Sequence, residues 1–213
     1  MTTCRRSDVE HFEFYTGLPK RVLNQGLLDE LWGRYPWRGE PVDVVLVMSH
    51  AKRARLALRL NAAQAAGREV IRVEPSEELR QGQTMAPHPF MLLWEGIRLV
   101  GCRRDSTDHR HIQNNCVYRV LSVDATQVTV RLDIEEALPL RLTHQETIQF
   151  LRLDCARCYA SVQGLTLRDQ RLLLCDVGHR FQDMRKLYVA CSRVTHGSFP
   201  IVTTREQEKA LLE

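Results

Sequence analysis

Asp43–Ser49, DVVLVMS, is a continuous β-branched and apolar run with no polar residue between its first and last positions. A strand with one wet face alternates, so a strand without alternation is buried on both faces, as strands of parallel sheets are. Ser49 can cap a helix running from His50 to about Ala66, which Gly67 closes. Glu69–Val73 reads as a further short strand, giving the strand–helix–strand order of an α/β layer. Arg171–Val177, RLLLCDV, is another buried strand, and Arg152–Tyr159 is a strand that runs into a Gln163-Gly164 turn. Gln182–Arg193 follows as a helix with Met184, Leu187, Tyr188 and Cys191 on one face. Gly197 ends it, and Ser198–Val202 is a last strand.

A different pattern interrupts this layer. Pro75–Pro89 is rich in Pro, Gln and Gly and reads as a linker. From Phe90 three short β segments follow, MLLWEGIRLVGCRR, CVYRVLSVD and QVTVRLD, which predict a small antiparallel barrel. From Leu140 the chain returns toward α/β. The expected organisation is therefore 1–41 as an N-terminal connecting segment, 42–74 with 140–204 as the α/β domain, 90–135 as the inserted barrel, and 205–213 as a weakly amphipathic tail. The first segment is poorly periodic and aromatic (Phe12, Phe14, Tyr15, Trp32, Tyr35, Trp37), with a short helix over Asn24–Gly33.

Two segments carry chemistry: Cys158–Leu167, CYASVQGLTL, and Leu187–Thr195, LYVACSRVT. Gly164 allows backbone to approach a phosphate or a neighbouring strand without a Cβ in the way. Gln163 offers a donor and an acceptor, and Thr166 a hydroxyl. Arg193 is a fixed planar cation, suited to a phosphoryl group across a cleft. The plain alternatives are a strand-to-helix turn for the first segment and an arginine complementing a helix dipole for the second.

The pair resembles motifs V and VI of superfamily 1B DNA helicases, the RecD-like and petite-integration-frequency families, whose usual forms are THxxQGxT and YVALSR. The resemblance covers about Val42 to Val202. It implies a RecA-like parallel sheet flanked by helices, carrying a Src-homology-3-like barrel as an insertion; GIRLV and IQNNCVYRVLSVD resemble the barrel entry. It implies Gln163, Gly164 and Arg193 on the nucleotide side, with Arg193 as the catalytic arginine finger, and Ser161 and Thr166 on the DNA side. VDVVLVMSHAKRARLALRLN resembles motif IV, with Asn61 where the family often has Asn. Its helix start, Ser49, His50 and Lys52, is then placed for contact with backbone phosphates, since helix N-termini bind anions; a capped helix with a solvated Arg face is the alternative. The sequence departs from the family at Ala160, where the family has His, and at Cys191, where it has Leu.

No segment reads GxxxxGK[ST], and no acidic pair follows an apolar strand to hold magnesium. The expectation is thus the C-terminal motor half of an ATP-dependent DNA helicase. ATP and Mg2+ would bind only with a complementary P-loop domain, in cis or in trans, and single-stranded DNA is the expected partner. A non-catalytic single-stranded nucleic-acid-binding protein derived from a helicase is the alternative. A net charge of +4 over 213 residues is compatible with a phosphate-backbone partner. Apolar runs are short, no secretory signal is expected, and seven cysteines are read as reduced thiols of an intracellular protein. Cys155-Ala-Arg-Cys158 lies in a strand, where alternate side chains diverge, and fits no standard zinc spacing with Cys102, Cys116, His109 or His111. Trp94 and Tyr118 are either core residues or base-stacking surfaces.

Overall fold

The computed structural model describes residues 7–81, 88–103, 112–134, 136–167, 170–194 and 200–212. His109 and His111, and the helix end expected at Gly197, lie outside the described residues. Helices α1 (Val9–Gly17) and α2 (Gln25–Arg34) precede strand β1 (Val44–Val47) and helix α3 (His50–Ala65). The middle of the chain carries β2 (Ile71–Val73), α4 (Glu77–Gln81), β3 (Met91–Leu93), β4 (Arg98–Gly101), β5 (Val117–Val123) and β6 (Gln127–Leu132). It continues through β7 (Pro139–Thr143), α5 (His144–Phe150) and β8 (Leu151–Leu153). Strands β9 (Ala156–Cys158) and β10 (Leu172–Leu174), helix α6 (Met184–Cys191), strand β11 (Pro200–Val202) and helix α7 (Arg205–Leu212) complete it. The chain forms two compact units, Met1–Leu56 with Ala156–Glu213, and Ala57–Cys155.

The first unit is built on a four-stranded sheet in the order β11-β10-β1-β9, every pair parallel. All residues of all its strands are buried, as the unbroken apolar runs require. One face, including Val44, Leu46, Leu172 and Leu174, shares a core with Leu187 and Cys191 of α6. Phe14, Tyr15, Leu18, Leu27, Leu31 and Tyr35 complete that core, so the N-terminal segment expected to be a connection is a helical layer of the unit. Asp8 and Asn24 cap its helices by accepting from His11 and Leu27 backbone N–H groups. A histidine inside the core interrupts the apolar pattern of this segment. His11 is buried, with Nδ1 2.8 Å from the Tyr35 hydroxyl and Nε2 2.9 Å from the Cys191 carbonyl.

The second unit contains a five-stranded antiparallel sheet, β7-β6-β5-β4-β8, and a two-stranded ribbon, β2-β3. Buried and exposed positions alternate along β5 and β6. Four expectations are corrected here. The sheet is open rather than a closed Src-homology-3-like barrel: among the described residues β7 and β8 are its edges and do not pair. Closure needs those edges to share hydrogen bonds. Instead α5 joins them directly, started by a capping box in which Thr143 and Glu146 exchange side-chain and backbone bonds. Strand β2 does not continue the parallel layer but pairs antiparallel with β3. The buried Asn61 amide helps fix that ribbon, donating to the Leu92 carbonyl at 2.8 Å and accepting from its N–H at 2.9 Å. The strand expected over Arg152–Tyr159 is two strands. Leu151–Leu153 pairs antiparallel with β4, and Ala156–Cys158 pairs parallel with β1. Nor does Leu140 begin the return to the α/β layer, because β7 pairs with β6.

Gly101 is required by proximity: a Cβ there would lie 2.0 Å from the Gln113 carbonyl oxygen. Tyr118 is buried and its hydroxyl accepts from the Gln113 N–H at 2.9 Å, which makes it a core residue and not a stacking surface. Trp94 is half-buried, with the Arg68 guanidinium 5.4 Å from its ring centre. No helix among the described residues is long and apolar enough to cross a membrane.

Candidate functional site

Parallel strands deliver their loops to one edge of a sheet, and in open α/β folds that carboxyl edge is where ligands are met. Here β9, β1 and β10 are neighbours and end at Cys158, Val47 and Leu174. The segments singled out in the sequence leave from these ends.

Beyond β9 a 3-10 turn over Tyr159–Val162 leads into a tight bend. Gln163 has φ −62° and ψ 130°, Gly164 has φ +84°, and the Leu165 N–H donates to the Val162 carbonyl at 3.2 Å. These are the angles and the bond of a type II turn, whose third residue must sit at positive φ. A Cβ on Gly164 would meet nothing within 4 Å. The glycine is thus needed for its backbone angle and not, within this chain, for close approach. The turn exposes Gln163 and Thr166, and neither side chain makes a hydrogen bond among the described residues. Ser161 is half-buried and donates its hydroxyl to the Cys158 carbonyl at 2.8 Å. Ala160 is exposed where the family pattern has a histidine.

Helix α6 begins at Asp183, which accepts from the Lys186 N–H, and buries Leu187, Ala190 and Cys191. Burial pushes the Cys191 thiol up to about 12, so it behaves as a neutral core group. Arg193 follows the last turn and is half-buried. Its guanidinium donates to the Leu165 carbonyl at 3.1 Å, the Val189 carbonyl at 3.1 Å and the Ser192 hydroxyl at 2.8 Å. The Leu167 N–H donates back to the Arg193 carbonyl at 2.8 Å, and Leu167 and Val194 form a parallel bridge. The two sequence segments are therefore one piece of structure: the arginine clamps the exit of the glycine turn.

At the start of α3, Ser49 accepts from the Lys52 N–H at 3.1 Å, the expected cap. Ser49 and His50 are exposed, and His50 Nδ1 lies 3.5 Å from the Cys158 sulfur, which joins the helix start to the end of β9. Lys52 departs from expectation, because its ammonium is not open to a ligand. It bridges Asp176 Oδ1 at 2.6 Å and Glu208 Oε2 at 2.7 Å, and the three side chains are 16%, 12% and 14% exposed. Burial works against its charge, but the two carboxylates outweigh that and hold its pKa above the ordinary value. Asp176 also accepts from the Met48 N–H at 2.8 Å, and Glu208 accepts from the Thr203 hydroxyl at 3.0 Å. Asp176 occupies left-handed backbone at φ 58°, a position few non-glycine residues adopt. The network pins the ends of β1, β10 and β11 to the tail helix α7. In the sequence only Asp176, next to last in RLLLCDV, hints at this network; Glu208 in the tail carries no signal. A cavity of about 310 Å³ opens beside the network, lined by Trp32, Gly178, Thr203, Arg205 and Glu208 among others, and contains none of the motif residues.

Among the described residues no group of His, Cys, Asp or Glu could hold a metal ion. The cysteines of the CxxC differ in surroundings: Cys155 is buried and donates to the Ala57 carbonyl, whereas Cys158 faces His50.

No protein-family profile matches the chain. No curated protein matches it by sequence. Solved structures do match by fold. A Pif1 helicase from a study of DNA unwinding at forked double-stranded DNA aligns with a TM-score of 0.63 at 18% identity, over 98% of this chain and 50% of that one. Pif1 helicase from Bacteroides, in complex with ADP-AlF3 and ssDNA, gives 0.61 at 18% identity, over 96% and 51%. Pif1 helicase from Candida albicans gives 0.62 at 13% identity, over 94% and 54%. The chain spans about half the length of these relatives, and the α/β fold that the motifs implied is that of one half of a Pif1 helicase.

Proposed function

We propose that this chain is the C-terminal motor half of an ATP-dependent DNA helicase. In this reading it supplies an arginine finger, Arg193, and part of a single-stranded DNA track, and is incomplete without a P-loop domain in cis or in trans. The observation that carries the reading is the clamp between Arg193 and the Leu165 carbonyl, which makes the arginine and the Gln163-Gly164 turn one mechanical piece. A group that sensed phosphate through Arg193 would move the turn whose neighbours, Ser161 and Thr166, lie toward the DNA. Nucleotide and Mg2+ enter only with the complementary domain, because this chain lacks the phosphate-cradling loop. Ser49 and His50 extend the track along the same sheet edge, and Lys52 acts there by bracing the strand ends. The protein-supplied acceptors around Arg193 and the alanine at 160 favour a second reading, a nucleic-acid-binding protein that kept the fold without the engine. Phosphate release measured with single-stranded DNA separates the two. The first reading expects no turnover from the chain alone and turnover once a P-loop domain is supplied. Turnover by the repurified chain alone overturns the half-motor reading, and none with the added domain favours the second.

A further inference from the structure

Arg53 stands in the first turns of α3 and is only 8% exposed. Its Nε and Nη1 are shielded from solvent and have no hydrogen-bond partner, and no carboxylate pairs with it among the described residues. A buried guanidinium without a counter-charge costs stability, so its persistence asks what it meets. The neighbouring cation, Lys52, shows the contrast, with two carboxylates on one ammonium.

Helical spacing places Arg53 on the same side as His50, three residues back, and side chains on a helix lean toward its N-terminus. His50 contacts Cys158 at the end of β9. By that geometry the Arg53 side chain leans toward the helix start, the end at which His50 meets Cys158. At that start the Lys52 and Arg53 N–H groups are satisfied by Ser49, but those of His50 and Ala51 make no hydrogen bond among the described residues. Unsatisfied amides at a 16-residue helix's positive end and a buried fork of donors form an anion site.

We propose that Arg53, with the His50 and Ala51 amides, is the phosphodiester subsite at the centre of the single-stranded nucleic-acid track, so that Arg53 rather than Lys52 supplies its charge. This rests on the reading under Proposed function. A nucleic-acid backbone fits better than a protein carboxylate because the same edge presents further exposed donors, Ser49, Gln163 and Thr166, while its carboxylates, Asp176 and Glu208, are taken up by Lys52.

The test uses the full chain, labelled oligothymidylate and Arg53→Met, which keeps the length and removes the charge. Affinity should fall about tenfold or more, with the salt slope reduced by about 0.7, the share of one phosphate on a single strand. The melting temperature should hold or rise, because a solitary buried charge is gone. Arg55→Met, on an exposed face of the same helix, should bind within about twofold of the parent. Parental binding by Arg53→Met overturns the proposal. So does lost stability in both Arg53→Met and Arg53→Lys, which would mean a structural guanidinium. If Arg53→Met binds oligothymidylate normally but associates less with an added P-loop domain, Arg53 serves a protein carboxylate and the proposal fails. Inorganic pyrophosphate separates the remaining cases. A chain that binds no oligothymidylate, yet is stabilised by pyrophosphate only when Arg53 is present, loses the helicase reading and keeps the anion site. No pyrophosphate shift and no oligothymidylate binding remove both.

Discussion

The two units put their strands to opposite ends. In the parallel sheet every strand residue is buried, so no side chain of a strand is left to meet a ligand, and chemistry is confined to the loops at the strand ends. In the antiparallel sheet β5 and β6 bury side chains only at alternate positions, yet none of the candidate site residues lies there. The difference is one of convergence. Parallel strands bring several loops to one edge, and short hairpin connections do not. Ser49 and His50 leave the end of β1 and meet the end of β9 at Cys158, and Arg193, just after α6, joins the turn beyond β9 through the Leu165 carbonyl.

If that contrast is right, the largest effect of any substitution lies at the edge of the parallel sheet. With a P-loop domain supplied, Arg193→Ala should lower ATP turnover by about a thousandfold or more, the usual worth of an arginine finger. Arg193→Lys should rescue poorly, since a point charge cannot reproduce the fork that reaches Leu165 and Ser192 together. A Lys variant with parental turnover would return Arg193 to a helix-dipole role.

Next comes the bracing network. Lys52→Met should destabilise the protein by about 3–5 kcal/mol in urea unfolding, because it leaves Asp176 and Glu208 buried together without their cation. The pH dependence has a definite sign. Lys52 has a raised folded pKa, so its contribution is complete below its ordinary 10.5 and is lost as pH rises through the folded value. In the Met variant that alkaline loss should disappear. An unchanged denaturation midpoint would mean that the strand ends hold without the network.

A smaller effect is expected at the glycine turn. Gly164→Ala should cost about 1–2 kcal/mol, from placing a Cβ at positive φ, with no clash added. A larger loss would show that the turn is tighter than its open surroundings indicate. The smallest effects belong to the wet face of the antiparallel sheet. Arg131→Ala on β6 is exposed and should change stability by no more than about 0.5 kcal/mol and leave oligothymidylate binding within about twofold. A marked loss of binding there would move part of the nucleic-acid surface to the second unit and break the contrast.

Much of the first unit could be read from residues in a row. DVVLVMS and RLLLCDV declare doubly buried strands, Ser49 declares a cap, and QGLT with YVACSR declares a paired site, because each signal is local. The signals failed where a partner far along the chain decided the outcome. Ile71–Val73 has the composition of a parallel strand, but the Asn61 amide and β3 made it half of an antiparallel ribbon. The run from Arg152 to Tyr159 looks like one strand and serves two sheets. Lys52 reads as an open cation because Glu208 lies 156 residues away.

What the sequence determined by itself, then, is the class of each face, the position of the caps, and the residue types at the sheet edge. Periodicity and local hydrogen bonding are short-range physics and are written in neighbours. Only the tertiary structure decided which cations are spent and which are spared. Lys52 is consumed by two carboxylates, Arg193 is turned onto the Leu165 carbonyl, and Arg53 is buried with no counter-charge among the described residues. A charge acquires its meaning from what stands within about 4 Å of it, and that is set by how distant segments pack.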